Sequence, residues 1–420
     1  MNFNSCLRYL DQLHKLNHKS SISRFKQKLS ELNCYPRTPK IFTVAGTNGK
    51  GTCCVTFEAI LLAGGYKTGC YLSPHLLSIT ERVRINGQNI SEQEFVAAFI
   101  KIKNIYLEEE VGWFEFVSLI ALLIFAAHPL DFLILEIGIG GKQDVINAID
   151  PDVAIITTID LDHTEILGHT RELIAAEKAG IFRANKLAIC AEPNLPSTLI
   201  DYAQAINTNL ILYNRDYFYT ETSEGWCYAV IAREAKQSST SPLLPYPTFP
   251  VANAAAAITA LQNFPKTRAI SWTAIINGIK QAFLPGRFQV LTQQPLMICD
   301  VAHNPHAAGY LAKQLQQLPC SGTTHAIVGM QCKKDIPNTL AAMLNVVDQW
   351  YISNLDEQDK SIVTFVNIAQ KFLQQADAQF TVMPSITAGV KLALQTAQKE
   401  DRIIIFGSFL TVEEVLQATC

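Results

Sequence analysis

The sequence predicts an α/β protein of two domains, each built around a parallel sheet. Short apolar runs of strand length alternate along the chain with segments of helical periodicity, and this alternation is typical of βαβ units. The chain has 420 residues, more than a single hydrophobic core usually serves, so two domains are expected. Hydrophobic residues make up 49% of the chain, which supports a sizeable core.

The first strand leads through a glycine loop into a helix. Residues 41–52 read IFTVAGTNGKGT, and a helix is predicted over 52–62, before a pair of glycines. Glycines let backbone N–H groups turn toward an anion, Lys50 can reach the outer phosphates of a nucleotide, and Thr52 can hold Mg²⁺. In the common motif G-x-x-x-x-G-K-[ST], the two glycines are further apart than Gly46 and Gly49 are here, and in this chain Gly51 separates Lys50 from Thr52. We therefore predict a phosphate-binding loop (P-loop) of a particular subgroup; the alternative is a bare glycine turn.

The same alternation continues through the first domain. Strands are predicted at 132–138, 153–159 and 186–190, and helices at 116–127, 171–181 and 251–261. Between residues 213 and 250, alternating aromatic residues followed by a Ser/Pro-rich stretch predict a hairpin and then an exposed loop.

The second domain is predicted to begin after the segment LPGR at 284–287, which has the composition of a hinge. This places the domains at 1–285 and 286–420. Apolar strands at 296–299, 326–328, 350–352 and 402–406 are separated by helical segments, so the second domain is predicted to be a smaller doubly wound α/β unit. It contains no G-x-G-x-x-G motif.

Composition excludes several classes of function. The net charge of −3 is balanced along the chain, which argues against a nucleic-acid partner. Eleven scattered cysteines without a C-x-x-C motif suit reduced thiols in a cytoplasm. The N-terminus is polar, and the longest apolar run, 117–127, is too short to span a bilayer. A soluble cytoplasmic protein is therefore expected.

Acidic residues and a histidine follow two of the predicted strands. Glu136 stands in an otherwise apolar strand, where a buried carboxylate is costly unless a positive group such as Mg²⁺ lies beside it. Asp160, Asp162 and His163 follow the next strand, at the sheet edge where ligands bind. The alternatives are a turn cap for the aspartates and a surface position for the histidine. For Lys178, periodicity alone favours a solvated helix face.

Eight sequence blocks resemble the folylpolyglutamate synthase/dihydrofolate synthase family, a branch of the Mur-ligase superfamily. They occur in the family's order as GTNGKGT (46–52), LSPH (72–75), TER (80–82), LEIGIGG (135–141), LDHT (161–164), EKAGIF (177–182), LPGRF (284–288) and DVAHNP (300–305). The resemblance implies a P-loop ATP-binding domain over 1–285 and a smaller Rossmann-like ligase domain over 286–420.

The resemblance also implies an activity. Members use ATP to activate a carboxylate of dihydropteroate or of a reduced folate as an acyl phosphate, which the amine of L-glutamate then attacks. The alternatives are a folylpolyglutamate synthase only, another Mur-type amino-acid ligase, or a P-loop regulator without ligase activity. No N-K-x-D motif supports a GTPase switch.

Site residues carried over from the family fall into three groups. The expected metal ligands for two Mg²⁺ ions are Ser73, Glu136, His163 and Lys178, the last as a CO₂-derived carbamate. Lys50, Lys178 and His163 are the expected catalytic residues. ATP contacts are expected from Thr47, Asn48, Gly49, Lys50, Gly51, Thr52, Asn253, Arg287 and Asp300.

Substrate contacts are expected in three segments that resemble pterin-binding stretches of bifunctional members. They are Gln12, Leu13 and His14; Gly112, Trp113, Phe114 and Glu115; and Gln143, Asp144 and Val145. Leu10 and Leu13 also fit a plain amphipathic helix. The chain departs from the family at Lys142-Gln143, where members usually have Arg-Leu, and at Lys333, where they usually have Asp. A monomer is expected.

Overall fold

The computed structural model describes residues 1–16, 21–106, 111–231, 239–355 and 364–419. Contacts divide the chain into two compact units, Met1–Phe283 and Leu284–Cys420. The first two residues of the predicted Ser/Pro-rich loop, 237 and 238, lie outside the described part of the chain. No described helix is long and apolar enough to cross a membrane.

The first unit alternates strands and helices through most of its length. Its helices are α1 Phe3–Leu16, α2 Ile22–Glu31, α3 Lys50–Ala63, α4 Glu92–Lys103, α5 Trp113–Ala126, α6 Thr164–Leu167, α7 Arg171–Ala179, α8 Ser197–Ala205, α9 Val251–Asn263 and α10 Trp272–Gln281. Its strands are β1 Lys40–Ala45, β2 Thr68–Tyr71, β3 Val83–Ile85, β4 Gln88–Asn89, β5 Phe132–Glu136, β6 Val153–Ile156, β7 Leu187–Cys190, β8 Asn209–Leu212, β9 Tyr217–Glu221, β10 Trp226–Val230 and β11 Ser239–Thr240.

Among the described residues, eight strands form the main sheet in the order β4-β3-β2-β5-β1-β6-β7-β8. The six strands from β2 to β8 in this order run parallel, which confirms the predicted parallel sheet. The sequence analysis missed the antiparallel edge formed by β3 and β4. Asn86 and Gly87 connect these short strands with positive φ angles, as a tight hairpin turn requires. Strands of two or three residues carry too little apolar pattern to be predicted.

Central strands are buried on both faces, which explains their continuous apolar sequence. All five residues of β5, Phe132–Glu136, are buried, and so are five of six in β1. Helix α5 packs on the sheet through a core that includes Leu119 and Ile120, and α1 joins this core through Leu10 and Leu13. The amphipathic prediction for α1 is therefore confirmed.

Strand register brings three loops to one edge of the sheet. Val44 of β1 pairs with Glu136 at the end of β5, and Ala45 pairs with Ile156 at the end of β6. The loops that follow these parallel strands therefore begin side by side, at the carboxyl edge where open α/β sheets bind ligands.

The second unit is a smaller α/β structure, as predicted. Its helices are α11 Pro305–Gln317, α12 Ile336–Ala341, α13 Phe365–Gln375, α14 Ile386–Thr396 and α15 Phe409–Thr419. Its strands are β12 Gln289–Gln293, β13 Leu296–Cys299, β14 Thr324–Val328, β15 Gln349–Ile352, β16 Gln379–Val382 and β17 Arg402–Phe406, in the order β12-β13-β17-β14-β15-β16. Only β12 pairs antiparallel within this described sheet, so the sheet is mixed.

Candidate functional site

The glycine loop after β1 requires small residues for two different reasons. Gly49 has a left-handed φ of 81°, and a Cβ there would lie 2.6 Å from Nδ2 of Asn253. A Cβ on Gly46 would lie 1.9 Å from Oγ1 of Thr157, so the segment after β6 leaves no room for a side chain. Helix α3 begins at Lys50, directly after this turn, and its N-terminal N–H groups follow the loop. The predicted strand–loop–helix arrangement is confirmed.

Hydrogen bonds join this loop to the segment after β6. The backbone N–H of Asn48 donates to Oγ1 of Thr158 at 2.9 Å, and Oγ1 of Thr157 donates to the Asn48 carbonyl at 2.7 Å. Oγ1 of Thr47 donates to the carbonyl of Asp160 at 3.0 Å, and accepts from its N–H at the same distance. The loop is therefore held in place before any nucleotide binds.

Lys50 and Asn253 bind the loop and the first turn of α3 through their side chains. Nζ of Lys50 donates to the carbonyls of Gly46 at 3.1 Å and Thr47 at 3.4 Å, so the ammonium lies over the loop. Nδ2 of Asn253, on α9, donates to Oγ1 of buried Thr52 at 2.7 Å. Asn253 was predicted as an ATP contact, and the structure places its side chain against the start of α3.

Buried Glu136 binds half-buried Ser73 beside this loop. Oε2 of Glu136 accepts the backbone N–H of Ser73 at 2.8 Å, and the residue is 3% exposed. Oγ of Ser73 is buried without a hydrogen-bond partner among the described residues. A carboxylate and an unsatisfied hydroxyl are both oxygen donors of the kind that Mg²⁺ prefers.

Lys178 is buried, contrary to the expectation from periodicity alone. It is 2% exposed at the end of α7. Burial, followed by the like charge of Lys50, lowers the pKa of Lys178 to about 7, against the opposing effects of Asp162 and Glu177. The structure therefore brings Lys178, Lys50 and Asp162 within electrostatic reach of one another.

His163 lies at the start of α6 with a left-handed backbone, φ 50°. Its Nε2 is 4.0 Å from Oδ2 of Asp162, and its Nδ1 is 3.9 Å from Oε1 of Glu165. In the part of the chain that the structure describes, no three His, Cys, Asp or Glu side chains gather closely enough to hold a metal ion. The metal set of Ser73, Glu136, His163 and Lys178 stays a prediction.

Asp144 holds the glycine-rich loop after β5. Its Oδ2 accepts the N–H groups of Gly138 at 2.9 Å and Ile139 at 3.1 Å, and its Oδ1 accepts that of Ile146 at 2.9 Å. Burial raises the pKa of Asp144 to about 6. Both carboxylate oxygens thus bind backbone. Of its neighbours, Gln143 is exposed, whereas Val145 is 1% exposed and packs in the core.

The predicted pterin-binding residues divide by exposure. Gln12 and His14 are exposed on α1, and the His14 ring lies 5.9 Å from that of Trp113, edge to face. Phe114 is half-buried, and a Cβ on Gly138 would lie 2.8 Å from its ring. The side chain of Leu13 is buried in the core, and its predicted substrate contact stays a prediction.

Glu115 is fully buried at the start of α5. Its Oε2 accepts the N–H of Gly112 at 3.1 Å, its Oε1 accepts that of Ser21 at 3.1 Å, and Nζ of Lys28 lies 4.0 Å away. These contacts fix the N-terminus of α5 against the N-terminus of α2. The carboxylate therefore orients Trp113 and Phe114 through the backbone.

His75 and Arg82 belong to the sequence blocks LSPH and TER, and no role was predicted for either residue. Nε of Arg82 donates to Nδ1 of His75 at 2.8 Å, and the Arg82 guanidinium lies 4.9 Å from the centroid of the Trp113 ring. Burial and the charge of Arg82 lower the pKa of His75 to about 4. The family resemblance of the blocks LSPH and TER could have drawn attention to these two residues, but their spacing in the sequence does not show that the side chains of His75 and Arg82 meet.

Within the second unit, Asp300 and Arg287 lie on neighbouring segments. Oδ2 of Asp300 accepts the N–H of Phe288 and Oδ1 accepts that of Ala302, both at 2.8 Å. Burial raises the pKa of Asp300, and the charge of Arg287 opposes this. The Arg287 guanidinium lies 4.8 Å from the centroid of the Phe409 ring. Lys333, which stands where family members usually have aspartate, is exposed.

Comparison with known proteins identifies the family. The model of the Mur ligase middle domain matches residues 44–261, and that of the Mur ligase glutamate ligase domain matches residues 286–409. The dihydrofolate synthase/folylpolyglutamate synthase of Escherichia coli K12 is 40% identical over 98% of this chain and 94% of its own length. This chain belongs to the dihydrofolate synthase/folylpolyglutamate synthase family of Mur ligases.

Solved structures of the family match the whole chain. The E. coli FolC complex with DHPP and ADP has a TM-score of 0.90 at 40% identity, covering 100% of this chain and 97% of that one. A bifunctional folylpolyglutamate synthase/dihydrofolate synthase with Mn, AMPPNP and L-glutamate bound has a TM-score of 0.88 at 41% identity, covering 100% and 98%. The predicted fold class and the prediction of an ATP-dependent ligase are confirmed at the level of this family.

Proposed function

We propose that this chain joins L-glutamate to dihydropteroate, giving dihydrofolate, and to reduced folates, extending their glutamate chain. The observation that carries the proposal is the arrangement at the carboxyl edge of the sheet, where the phosphate loop with Lys50 lies beside buried Glu136 and the Ser73 whose N–H it accepts. Structures of relatives in complex with DHPP and ADP, or with Mn, AMPPNP and L-glutamate, support these substrates.

The chemistry explains why such a site needs a nucleotide. A carboxylate is a poor electrophile, so one of its oxygens first attacks the γ-phosphorus of ATP, forming an acyl phosphate and releasing ADP. The free amine of glutamate then attacks the acyl carbon, forming the amide bond and expelling inorganic phosphate. Negative charge accumulates on phosphate oxygens in the first step, and the loop N–H groups and Lys50 are placed to compensate for it.

The residues beside the loop fit a divalent cation. Glu136 and Ser73 provide oxygen atoms, the Ser73 hydroxyl is buried without a partner among the described residues, and His163 adds an imidazole. Bound Mg²⁺ neutralises phosphate charge and orients the γ-phosphate for attack. We assign Ser73, Glu136, His163 and Lys178 to this role, with two ions in the site.

Lys178 is proposed to act as a carbamate. An unmodified ammonium at this buried position lies within reach of the like charge of Lys50, which is unfavourable. Addition of CO₂ to the neutral amine, with loss of a proton, replaces that cation by an anionic oxygen ligand. The exchange turns repulsion from Lys50 into attraction and supplies a metal ligand.

The exposed or half-buried residues Gln12, His14, Trp113, Phe114 and Gln143 are proposed to contact the pterin-bearing substrate. Contacts through Leu13, Glu115, Asp144 and Val145 stay predictions, because these side chains are buried or bound to backbone, and so does a contact through Gly112, whose N–H binds Glu115. ATP contacts are proposed for the loop 47–52, Asn253, Arg287 and Asp300. We also propose an ATP-binding domain over 1–285, a ligase domain over 286–420, a monomeric state and a cytoplasmic location.

The function is tested by incubating the purified protein with ATP, Mg²⁺, L-glutamate and one acceptor at a time, with products resolved by mass. The expected products are dihydrofolate from dihydropteroate and a folate one glutamate longer from a reduced folate, each with one ADP per amide. If the protein adds glutamate to folates but not to dihydropteroate, it is a folylpolyglutamate synthase only. Activity only with a muramyl nucleotide, or ADP formation without an amide, would refute the proposal.

A further inference from the structure

A buried arginine connects the loop that carries Ser73 with the start of α5. Arg82 is 4% exposed, at the end of the short 3₁₀ helix Ile79–Arg82. Its Nε donates to Nδ1 of His75 at 2.8 Å, and its guanidinium lies 4.9 Å from the centroid of the Trp113 ring. Trp113 in turn contacts the ring of His14 on α1. The Arg82 side chain thus contacts both the loop that follows Ser73 and the start of α5, where the pterin contacts are proposed.

The position of Arg82 is energetically demanding. Its Nη1 is buried and has no hydrogen-bond partner among the described residues. A buried N–H group without a partner costs stability, and so does a buried charge. Tyr71, which also hydrogen-bonds to the guanidinium, offsets part of this cost, and the carboxylates of Glu136 and Glu81 add to this through their charge. A hydrophobic residue would fill the space at lower cost, so packing alone does not explain an arginine here.

The two elements that Arg82 connects are each rigid by themselves. Glu81 accepts the N–H groups of Leu76 at 2.7 Å, and of Leu77 and Ser78 at 2.9 Å, which fixes the loop after Ser73. Glu115 fixes the N-terminus of α5 by accepting the Gly112 N–H. Between these two elements, the Tyr71 hydroxyl at the end of β2 lies 3.1 Å from Oγ of Ser118 on α5, and Arg82 adds direct contacts from the His75 loop to Trp113.

We propose that Arg82 is a positioning residue that sets the affinity for the pterin-bearing substrate, by holding Trp113 and the His75 loop in one arrangement. This inference rests on the proposed function. Only a planar guanidinium can donate from Nε to His75 while its face lies on the indole ring. Lysine keeps the charge but cannot make both contacts, so Arg82→Lys separates geometry from charge.

The test compares Arg82→Lys with Arg84→Lys in steady-state ligation. Arg84 is a matched control on the same chain segment, because its guanidinium bonds to Glu58 at 2.7 Å and to the carbonyl of Gly87 at 2.9 Å instead. We expect Arg82→Lys to raise the KM for dihydropteroate roughly tenfold while the KM for ATP stays within about twofold. Arg84→Lys should lower thermal stability and leave both KM values unchanged.

A double-mutant cycle with Trp113→Phe tests whether the two side chains act together. If Arg82 works through Trp113, the KM for dihydropteroate in the double variant should be close to that of the worse single variant. If the two side chains act independently, the fold-increases in KM of the two single variants should instead multiply in the double variant. If Arg82→Lys does not fold, His75→Leu removes the acceptor of Nε and should raise the same KM several-fold.

The outcomes separate this inference from the proposed function. Loss of ligation in the wild-type protein would refute the function itself. An active wild type in which Arg82→Lys behaves like Arg84→Lys, or in which the effects of Arg82→Lys and Trp113→Phe multiply, would overturn the positioning role. An equal rise of both KM values would show that Arg82 has only a structural role.

Discussion

Replacement of Lys178 by methionine should stabilise the protein near neutral pH when CO₂ and metal ions are removed. In the folded chain the pKa of Lys178 is about 7, against 10.5 for a free lysine, because the ammonium is buried near Lys50. At 1.36 kcal/mol per pKa unit, this difference corresponds to roughly 4–5 kcal/mol. Lys178→Met removes the charge and keeps a long apolar side chain, so it should recover most of this free energy.

The direction of the pH dependence follows from proton binding. Between pH 7 and 10.5 the unfolded chain holds a proton on Lys178 that the folded chain has lost, so the stability of the wild type rises with pH in this window. The penalty is fully present below about pH 7 and disappears above about pH 10.5. The advantage of Lys178→Met should therefore shrink from about 4 kcal/mol at about pH 7 to about 1 kcal/mol at about pH 9.5.

The assay is urea unfolding followed by circular dichroism, in CO₂-free buffer with a chelator. Lys101→Met, on the exposed face of α4, is the control and should change little at either pH. Addition of bicarbonate and Mg²⁺ should then stabilise the wild type and leave Lys178→Met unaffected, if the carbamate forms. An advantage of Lys178→Met that is the same at both pH values would refute the argument from a buried amine.

Three further substitutions test the phosphate loop and the pterin contacts. Lys50→Ala should lower kcat on the order of 10²-fold or more with the fold retained, because phosphate charge loses its compensation; near-normal turnover would contradict the loop assignment. Gly49→Ala should abolish ATP binding in calorimetry, since its Cβ would meet Asn253 at 2.6 Å, whereas Gly65→Ala has a similar φ of 82° with no atom within 4 Å and should only cost stability. His14→Ala should raise the KM for dihydropteroate more than that for a reduced folate, and equal effects would remove His14 from pterin recognition.

The sequence predicted most central strands of both sheets, because parallel strands are buried on both faces, but it missed the buried strand β2, Thr68–Tyr71. β17, Arg402–Phe406, was predicted over the same residues, and β5 was predicted with its start at Phe132. Edge strands were missed: β8, β12 and β16 contain exposed or half-exposed residues, so they show no continuous apolar run. Edge strands form because neighbouring strands offer hydrogen bonds, and a linear pattern does not contain that information.

The candidate site was predictable only in part. The phosphate loop could be recognised because its glycines, lysine and threonine act through local backbone geometry over seven residues. The burial of Lys178 could not be derived from periodicity, since α7 mixes charged and apolar residues and the packing of Gly141 against Lys178 joins residues far apart in the chain. The contact between Arg82 and Trp113 also joins residues far apart in the chain, so a sequence pattern does not predict it.

The carboxylates of the site show how position decides between structure and chemistry. Asp144, Glu115 and Glu81 each accept two or three backbone N–H groups, and such bonds satisfy a buried carboxylate where it lies. Glu136 differs, because the N–H that it accepts belongs to Ser73, whose buried hydroxyl has no partner in the described residues. An acid that stabilises a loop needs no further ligand, whereas an acid beside an unsatisfied oxygen forms half of a coordination site. On this ground we propose that Glu136 is the carboxylate that binds the metal, and that Asp144 and Glu115 act indirectly, by orienting the loops proposed to contact the substrate.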